Sequence, residues 1–168
     1  TTTPLQLAKA YSIISNGGYD VSPKLALKIK DNKFPKKRIL KKGISKKINN
    51  ILREVVVSEN GTAGLADVEG YEVGGKTGTA QQVLDGNYSN LKINTFVSVF
   101  PSSKPKYVLL VLLEAPKTSK DYIYKFRNKP GTLKGTPFNT AGWTSVEITG
   151  KIIENIGPIL ATKYLDHL

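Results

Sequence analysis

The stretch Gly74-Gly75-Lys76-Thr77-Gly78-Thr79 decides how this chain folds and what it can bind. It sets one ammonium group and two hydroxyl groups beside three glycines, a combination that suits gripping an anion better than filling a core. With the four residues that precede it, the segment from Gly70 to Thr77 also matches the G-x-x-x-x-G-K-[ST] pattern of phosphate-binding loops. Two structures therefore compete for it, a loop that opens a helix and an extended strand.

The flanking sequence favours the strand. A phosphate loop needs a buried apolar strand before its first glycine and a helix that begins at its lysine, because the helix N-terminus supplies the N–H donors. Residues 60–69 are loop-like in composition, and Gly78 lies where the first helical turn should be. A strand has the required period of two, with one face formed by Tyr71, Val73, Thr77 and Thr79. We expect the glycines at 74, 75 and 78 to expose backbone to a ligand. A glycine-rich hairpin strand without a ligand is the alternative.

Composition narrows the chemistry. At 168 residues the chain fits one domain with a real core. It contains no cysteine and a single histidine, His167, which argues against structural zinc, disulfides and a histidine-based dyad. We expect no metal site and no cofactor. Methionine is absent, so we expect that Thr1 is not a translation start and that the chain is a processed or excised piece.

The net charge is +12, from 25 basic and 13 acidic residues. Such a surplus is typical of a solvated face, and it also suits attraction to an acidic polymer or a membrane surface. Arginine occurs only at 38, 53 and 127, which disfavours base-specific nucleic-acid binding. We expect no nucleic-acid partner, and a polyanion-binding module remains an alternative. No window reaches the roughly 18 apolar residues of a membrane span.

Three helices are predicted. The first opens with Thr3 as cap and Pro4 in its first turn, and it ends at Asn16-Gly17-Gly18. The second begins with Ser45 as cap and runs to about Ser58. The third runs from about Ala141 to Ile156 or beyond, with Gly157-Pro158 expected to kink or interrupt it. Their predicted apolar stripes are Leu5, Leu7, Ala8, Ala10, Ile13 and Ile14; Ile44, Ile48, Ile51, Leu52, Val55 and Val56; and Ile148, Ile152, Ile153, Ile156 and Leu160.

Strand signals lie between the second and third helices. A turn at Asp85-Gly86-Asn87-Tyr88 returns the glycine-rich strand as a second strand over 93–100, and a second turn leads to a third strand over 107–113. The third strand lacks polar alternation, so we expect both its faces to be covered and a further strand from outside this chain beside it. Residues 19–43 are read as a short exposed strand or loop, and 117–140 as a long loop. The fold class is therefore α+β, a three-stranded antiparallel meander packed with helices.

Four segments, taken in order, resemble the carboxy-terminal half of the transpeptidase domain of class B penicillin-binding proteins, and most closely the FtsI-like D,D-transpeptidases. They are Thr3-Pro4-Leu5-Gln6-Leu7-Ala8, Gly61-Thr62-Ala63, Gly70-Tyr71-Glu72-Val73-Gly74-Gly75-Lys76-Thr77-Gly78-Thr79-Ala80-Gln81 and Thr140-Ala141-Gly142-Trp143. The resemblance implies a partial penicillin-binding, serine β-lactamase-like fold, with residues 1–168 forming an incomplete portion of a single domain. The family carries Ser-x-x-Lys, then Ser-x-Asn, then Lys-Thr-Gly, and only the third motif is credible here.

The resemblance implies a role for each residue of the third motif. Lys76 would be catalytic, holding positive charge near the serine of the second motif, and the N–H of Thr79 would be one oxyanion donor. Thr77, Gly78, Thr79 and Gly75 would bind substrate, with the two hydroxyls on its terminal carboxylate. No nucleophile is expected in this chain, because Ser89 and Ser103 follow Lys76 and lie in turns, and Ser58 lies at a helix exit. We therefore expect the chain to be inactive alone.

The resemblance also implies partners and a location. The substrate would be a peptidoglycan stem peptide or lipid-linked precursor, β-lactams would acylate the parent protein, and other cell-division proteins would be its partners. The parent would lie on the periplasmic face of the bacterial inner membrane, anchored by an N-terminal transmembrane helix outside this chain. A strand-pairing or polyanion-binding module without enzyme activity is the alternative. Trp143 is predicted to be a packing anchor, whereas Tyr122, Tyr124 and Phe126 either line a groove or cover the sheet.

Overall fold

The computed structural model describes residues 2–26 and 37–165, with side chains to residue 162. Its helices and strands confirm the α+β class. They are α1 (Pro4–Ser15), α2 (Ile44–Val57), β1 (Gly74–Leu84), β2 (Asn87–Phe100), β3 (Tyr107–Glu114), β4 (Ile123–Lys125), β5 (Thr132–Lys134) and α3 (Ser145–Leu165), with single 3₁₀ turns at Gly64–Ala66 and Ala141–Trp143. Part of the predicted loop or strand over 19–43 lies outside the described residues.

Helix α1 begins where the sequence predicts. The Thr3 hydroxyl accepts the N–H of Gln6 and the Gln6 side chain accepts the N–H of Thr3, a reciprocal capping box. Its predicted apolar face is only partly buried: Leu5 is exposed, and Ser15 is the one residue of the helix that is fully buried. The cap thus marks the start of this helix, and its apolar face is half-buried at Leu7, Ala8, Ile13 and Ile14.

Helix α2 corrects the prediction at its start. Its N-cap is Gly43, with φ 85° and no side-chain cap, while Ser45 lies inside the first turn and is 6% exposed. The Ser45 hydroxyl has no hydrogen-bond partner in the structure, so Ser45 was wrongly predicted to be the cap. The buried stripe is narrower than predicted: Leu52 and Val56 are buried, but Ile51 is exposed.

The predicted antiparallel meander is confirmed, with strand order β1-β2-β3. Lys76 lies within β1, which excludes the phosphate-loop alternative because no helix begins there. The strand starts at Gly74 rather than Tyr71, since Glu72 has a positive φ of 46° that breaks the extended backbone. The turn at Asp85 and Gly86 also has positive φ, 50° and 79°, as a tight hairpin with right-handed twist requires.

The sheet is covered by helices on both faces. Helix α1 faces Thr95 and Val97 of β2, whereas α3 packs through Val146 and Ile153 on the face that carries Phe96. Strand β3 is paired only with β2 among the described residues, and part of it is solvent-exposed at Leu112. The expected complete burial of β3 is therefore not observed, and the expected neighbouring strand stays a prediction.

The 117–140 segment also differs from its prediction. It contains a short antiparallel hairpin, β4–β5, whose Tyr124 is 5% exposed and joins the core against α3. Helix α3 continues through Pro158 to Leu165, so the structure does not show an interruption there, and the alternative of a kink stays a prediction. Its predicted stripe is buried at Ile153, whereas Ile148 and Ile156 are exposed. Within residues 2–26 and 37–165, no helix combines the length and the apolar character needed to cross a bilayer.

The space available for a side chain differs among the three glycines of the motif. A Cβ on Gly74 would lie 3.0 Å from the backbone nitrogen of Arg53, so this glycine lets α2 approach β1. A Cβ on Gly75 would overlap the ring of Phe96 and lie 2.6 Å from the carbonyl of Val97. At Gly78 a Cβ would meet only Thr95, at 3.9 Å. Internal packing thus explains Gly74 and Gly75 but not Gly78.

We therefore predict that Gly75→Ala destabilises the protein by about 1 to 3 kcal/mol, because the added methyl group must displace a fully buried ring or the neighbouring strand. Gly78→Ala is the matched control in the same strand and should change the free energy of unfolding by less than about 1 kcal/mol. Urea denaturation of both variants measures the difference. Equal destabilisation by the two substitutions would contradict the packing explanation.

Candidate functional site

A cleft of about 340 Å³ opens beside β1 on its α3 side. Thr77 and Thr79 contribute to it from the strand, because alternate residues of an extended chain point to the same face. Thr62 contributes from the loop after α2, and Phe126 and Trp143 form an aromatic wall. Three parts of the chain far apart in sequence thus meet at the predicted motif.

Three hydroxyl groups of the cleft are linked to their surroundings. The Oγ1 atoms of Thr62 and Thr77 lie 2.9 Å apart, so one hydroxyl donates to the other. The Oγ1 of Thr79 accepts the backbone N–H of Ala141 at 2.9 Å. Because each hydroxyl carries one proton, the Thr62–Thr77 pair keeps one donor free, and the proton of Thr79 is also free to donate. The cleft therefore offers two O–H donors, a pair that suits a carboxylate.

Lys76 points away from these hydroxyls. It lies with Gly78, Leu7 and Tyr11 on the α1 side of the strand, in a second cleft of about 330 Å³ that Thr77 and Thr79 also border. Its ammonium group is exposed and donates to the backbone carbonyl of Thr77 at 2.8 Å, which holds the charge close to the strand edge. The structure therefore brings Thr77 and Thr79 together and places Lys76 on the opposite face.

Gly75 lies outside both clefts. It is buried against Phe96, so the predicted reason for its role, exposure of backbone to a ligand, is wrong. Gly78 is the exposed glycine of the segment, and a Cβ there would make only ordinary van der Waals contact, with Thr95 at 3.9 Å. Among the predicted binding residues, Thr77 and Thr79 line the hydroxyl cleft, and Gly78 lies between them in the strand and lines the second cleft.

The aromatic residues of the 122–143 region have separate positions. Tyr124 covers the core, while Phe126 lines the cleft. Trp143 packs edge-on against both, with ring centroids 5.1 and 6.2 Å away, and it also lines the cleft. Tyr122 lies elsewhere and donates its hydroxyl to Glu147 at 2.6 Å. Trp143 is the predicted packing residue and a wall of the cleft as well.

Sequence reasoning missed Thr62 and Asn128 as lining residues. Thr62 stands beside Gly61 in one of the segments that carry the family resemblance, and that was the available signal. No signal in the sequence indicates Asn128, because its position depends on a close approach of its amide group to Gly64. Its Oδ1 is buried and has no hydrogen-bond partner among the residues that the structure describes.

An ion network holds the wall of the cleft in place. The guanidinium of Arg127 is almost fully buried and donates to the backbone carbonyl of Leu65, to Glu147 at 2.7 Å, and to Glu154 at 2.8 and 2.9 Å. Burial alone would lower the pKa of Arg127, but the hydrogen bonds to Glu154 and Glu147 outweigh it and raise that pKa. One cation thereby ties the β4–β5 segment to α3 and to the 3₁₀ turn at 64–66.

The same network predicts how stability depends on pH. The hydrogen bond from Arg127 lowers the pKa of Glu154 below its ordinary value of 4.5. A carboxyl group whose folded-state pKa is lowered stabilises the protein above its unfolded pKa, and that contribution is lost as the pH falls. We expect the urea midpoint to fall between about pH 5 and about pH 3, and to fall less steeply in Glu154→Gln. Parallel profiles for the two proteins would contradict this account.

Comparison with known proteins adds a family to this geometry. Residues 1–129 match the family described as the penicillin binding protein transpeptidase domain. The chain is 32% identical over 170 residues to a probable peptidoglycan D,D-transpeptidase FtsI of Caulobacter vibrioides, covering 96% of this chain and 26% of that protein. It is 33% identical over 121 residues to the peptidoglycan D,D-transpeptidase FtsI of Escherichia coli K12, covering 71% of this chain and 20% of that protein. The chain thus spans about a quarter or less of the length of these relatives.

Solved structures agree at the level of the fold. The transpeptidase domain of FtsI4 D,D-transpeptidase from Legionella pneumophila superposes with a TM-score of 0.60 at 25% identity, covering 91% of this chain and 46% of that domain. The transpeptidase domain of Burkholderia pseudomallei penicillin-binding protein 3 superposes with a TM-score of 0.67 at 24% identity, covering 92% of this chain and 41% of that domain.

Proposed function

This chain belongs to the penicillin-binding-protein transpeptidase family, and we propose that it is the carboxy-terminal portion of a D,D-transpeptidase domain that cross-links peptidoglycan. One observation carries the proposal: an edge strand places the open Gly78 between two threonines, beside a cleft that offers two free hydroxyl donors. The matched relatives are named peptidoglycan D,D-transpeptidases, which gives this geometry its substrate class.

The substrate proposed for the cleft is the D-Ala-D-Ala end of a stem peptide. Such a peptide would lie extended and antiparallel along the outer edge of β1, where main-chain hydrogen bonds orient it. Gly78 would leave room for its backbone, and the Thr77 and Thr79 hydroxyls would donate to its terminal carboxylate. The net charge of +12 favours the approach of an anionic ligand to the protein.

In the proposed reaction a serine attacks the D-Ala-D-Ala carbonyl, D-alanine leaves with a proton, and the acyl group passes from the serine to an amine of a second stem peptide. The N–H of Thr79 would be one of two oxyanion donors, a contribution typically of about 2.7 to 4 kcal/mol to the transition state. Lys76 would hold positive charge near the reacting groups from the other face of the strand.

The attacking serine is proposed to lie outside this chain. None of the residues that line the cleft in the described part of the chain is a serine. Ser103 donates to Glu72 in the turn after β2, and Ser89 lies in the hairpin end of β2. Neither lies on a helix that would set a lysine on the same face, as the family's first motif requires.

This proposal predicts that the chain alone does not form a covalent adduct with a fluorescent penicillin. The reason is that acylation needs an activated nucleophile within reach of the carbonyl, and the residues that line the cleft in the described part of the chain include no serine. A denaturing gel reads the outcome, with a complete penicillin-binding protein as the positive control. A fluorescent band at the mass of this chain would contradict the proposal.

The parent protein is proposed to act on the periplasmic face of the inner membrane, anchored by an N-terminal helix and working with other cell-division proteins. The relatives named FtsI support that setting. β-Lactams would be its inhibitors, because they carry the same terminal carboxylate and a reactive carbonyl.

Binding to the cleft can be measured on this chain directly. We predict that N-acetyl-D-Ala-D-Ala shifts the amide resonances of Thr77, Gly78 and Thr79 in an NMR titration, and that its carboxamide analogue does not. Thr79→Val removes a hydroxyl donor to a charged acceptor and should weaken binding by about tenfold. Thr132→Val, an exposed threonine of β5 outside the cleft, is the matched control. Equal binding of acid and carboxamide would contradict a carboxylate site.

A further inference from the structure

Asn94 is an amide side chain that the sheet buries completely. It lies in β2 directly opposite Thr79 in the register of the two strands, and it is 0% exposed. The same face of β2 carries Phe96, which belongs to the apolar core. The Oδ1 atom of Asn94 has no hydrogen-bond partner in the structure. A buried unsatisfied oxygen is unfavourable for folding, so the amide at this position needs another explanation.

The nitrogen of this amide supplies that explanation. Nδ2 of Asn94 donates to Oδ1 of Asn139 and to Oγ1 of Thr144, each at 2.9 Å. The orientation is fixed from outside, since Asn139 donates its own Nδ2 to the carbonyl of Pro116 at 2.6 Å and therefore presents its oxygen to Asn94. Both N–H donors of Asn94 are thus used on two residues that stand five positions apart.

These two residues bracket the turn that reaches the cleft. Thr144 also donates its hydroxyl to the carbonyl of Thr140 at 2.9 Å, which closes the segment from 140 to 144 on itself. Within that segment, the backbone N–H of Ala141 donates to Oγ1 of Thr79 at 2.9 Å. Asn94 is therefore connected to Thr79 in two ways, through the neighbouring strand and through this turn.

We propose that Asn94 is a positioning residue for Thr79: by holding Asn139 and Thr144, it keeps the Ala141 N–H on the Thr79 oxygen and leaves the Thr79 proton directed at the ligand. This rests on the proposed function, in which that proton is donated to a carboxylate. A hydroxyl whose oxygen already accepts a fixed N–H has fewer orientations available to its own proton. The effect of Asn94 is thus to pre-organise the donor before the ligand arrives.

An aliphatic residue of the same size cannot replace this amide. Leucine would offer no donors and would leave the oxygens of Asn139 and Thr144 without their present partner. Aspartate would set an acceptor against the Asn139 oxygen, which is itself an acceptor. Only a side chain with two N–H donors can hold both ends of the turn from a single buried position.

The test compares Asn94→Ala with Ser98→Ala in this chain. Ser98 is the matched control, because it lies on the same strand and the same face, is 0% exposed, and donates one hydrogen bond, to the carbonyl of Leu109, far from the turn. Asn139→Ala is a second variant that breaks the same link from the half-buried turn, in case Asn94→Ala does not fold.

Three readouts are taken on each variant: urea stability, the hydrogen-exchange rate of the Ala141 amide, and the affinity for N-acetyl-D-Ala-D-Ala. We expect Asn94→Ala and Asn139→Ala to raise the exchange rate of the Ala141 amide by about tenfold or more. We expect both to lower the affinity for the dipeptide by about fivefold. Ser98→Ala should lower stability and leave the other two readouts as in the parent chain. An unchanged exchange rate of the Ala141 amide in both Asn94→Ala and Asn139→Ala would overturn the proposal. An equal increase of that rate in Ser98→Ala would overturn it as well.

The exchange readout separates this proposal from the proposed function, because it needs no ligand. If the unsubstituted chain does not bind the dipeptide, the carboxylate site is wrong. The exchange rates then still decide whether Asn94 holds the turn against Thr79, and an unaltered rate would end the positioning role.

Discussion

The one-sided pairing of β1 is the constraint on which the rest of the structure depends. Strand β2 satisfies one edge of β1, and the packing of Gly74 against α2 and of Gly75 against Phe96 fixes where that strand sits. Gly74 and Gly75 are buried, whereas the residues that follow them in β1, from Lys76 to Gln81, are exposed or half-buried. A strand paired on both sides could present the same side chains but could not accept an extended peptide along its edge.

The second fixed point is the approach of the 140–144 turn to Thr79. This turn is held by polar contacts: Asn94 fixes it from inside the sheet, and Thr79 receives its Ala141 N–H. Further along, Arg127 joins Leu65, Glu147 and Glu154, so the other wall of the cleft rests on a partly buried ion network. Hydrogen-bonded networks of this kind fix the positions of the groups that they join. The cleft is thus a polar assembly on an apolar core.

Local signals in the sequence predicted the elements that local chemistry decides. The cap at Thr3, the turn at Asp85-Gly86 and the period of two through Thr77 and Thr79 are all readable from the sequence, and the structure confirms them. The start of α2 is not, because Ser45 has the chemistry of a cap but lies buried within the first turn, where tertiary packing overrides its local preference.

The cleft was only half predictable for the same reason. Thr77 and Thr79 follow from the strand pattern, whereas Thr62 meets Thr77 from 15 residues away and Asn94 reaches Asn139 and Thr144 across 45 and 50. No periodicity encodes contacts of that range. Gly75 shows the converse, since a glycine that looked open for a ligand is needed by the core.

The central claim is that the open edge of β1 binds a peptide through its terminal carboxylate, and a crystal structure of this chain with N-acetyl-D-Ala-D-Ala tests it most directly. The account predicts an extended dipeptide antiparallel to β1 over Gly78, with its carboxylate within hydrogen-bond distance of the Thr77 and Thr79 hydroxyls. A dipeptide bound in the cleft against Leu7 and Tyr11, with its carboxylate on Lys76 alone, would contradict it.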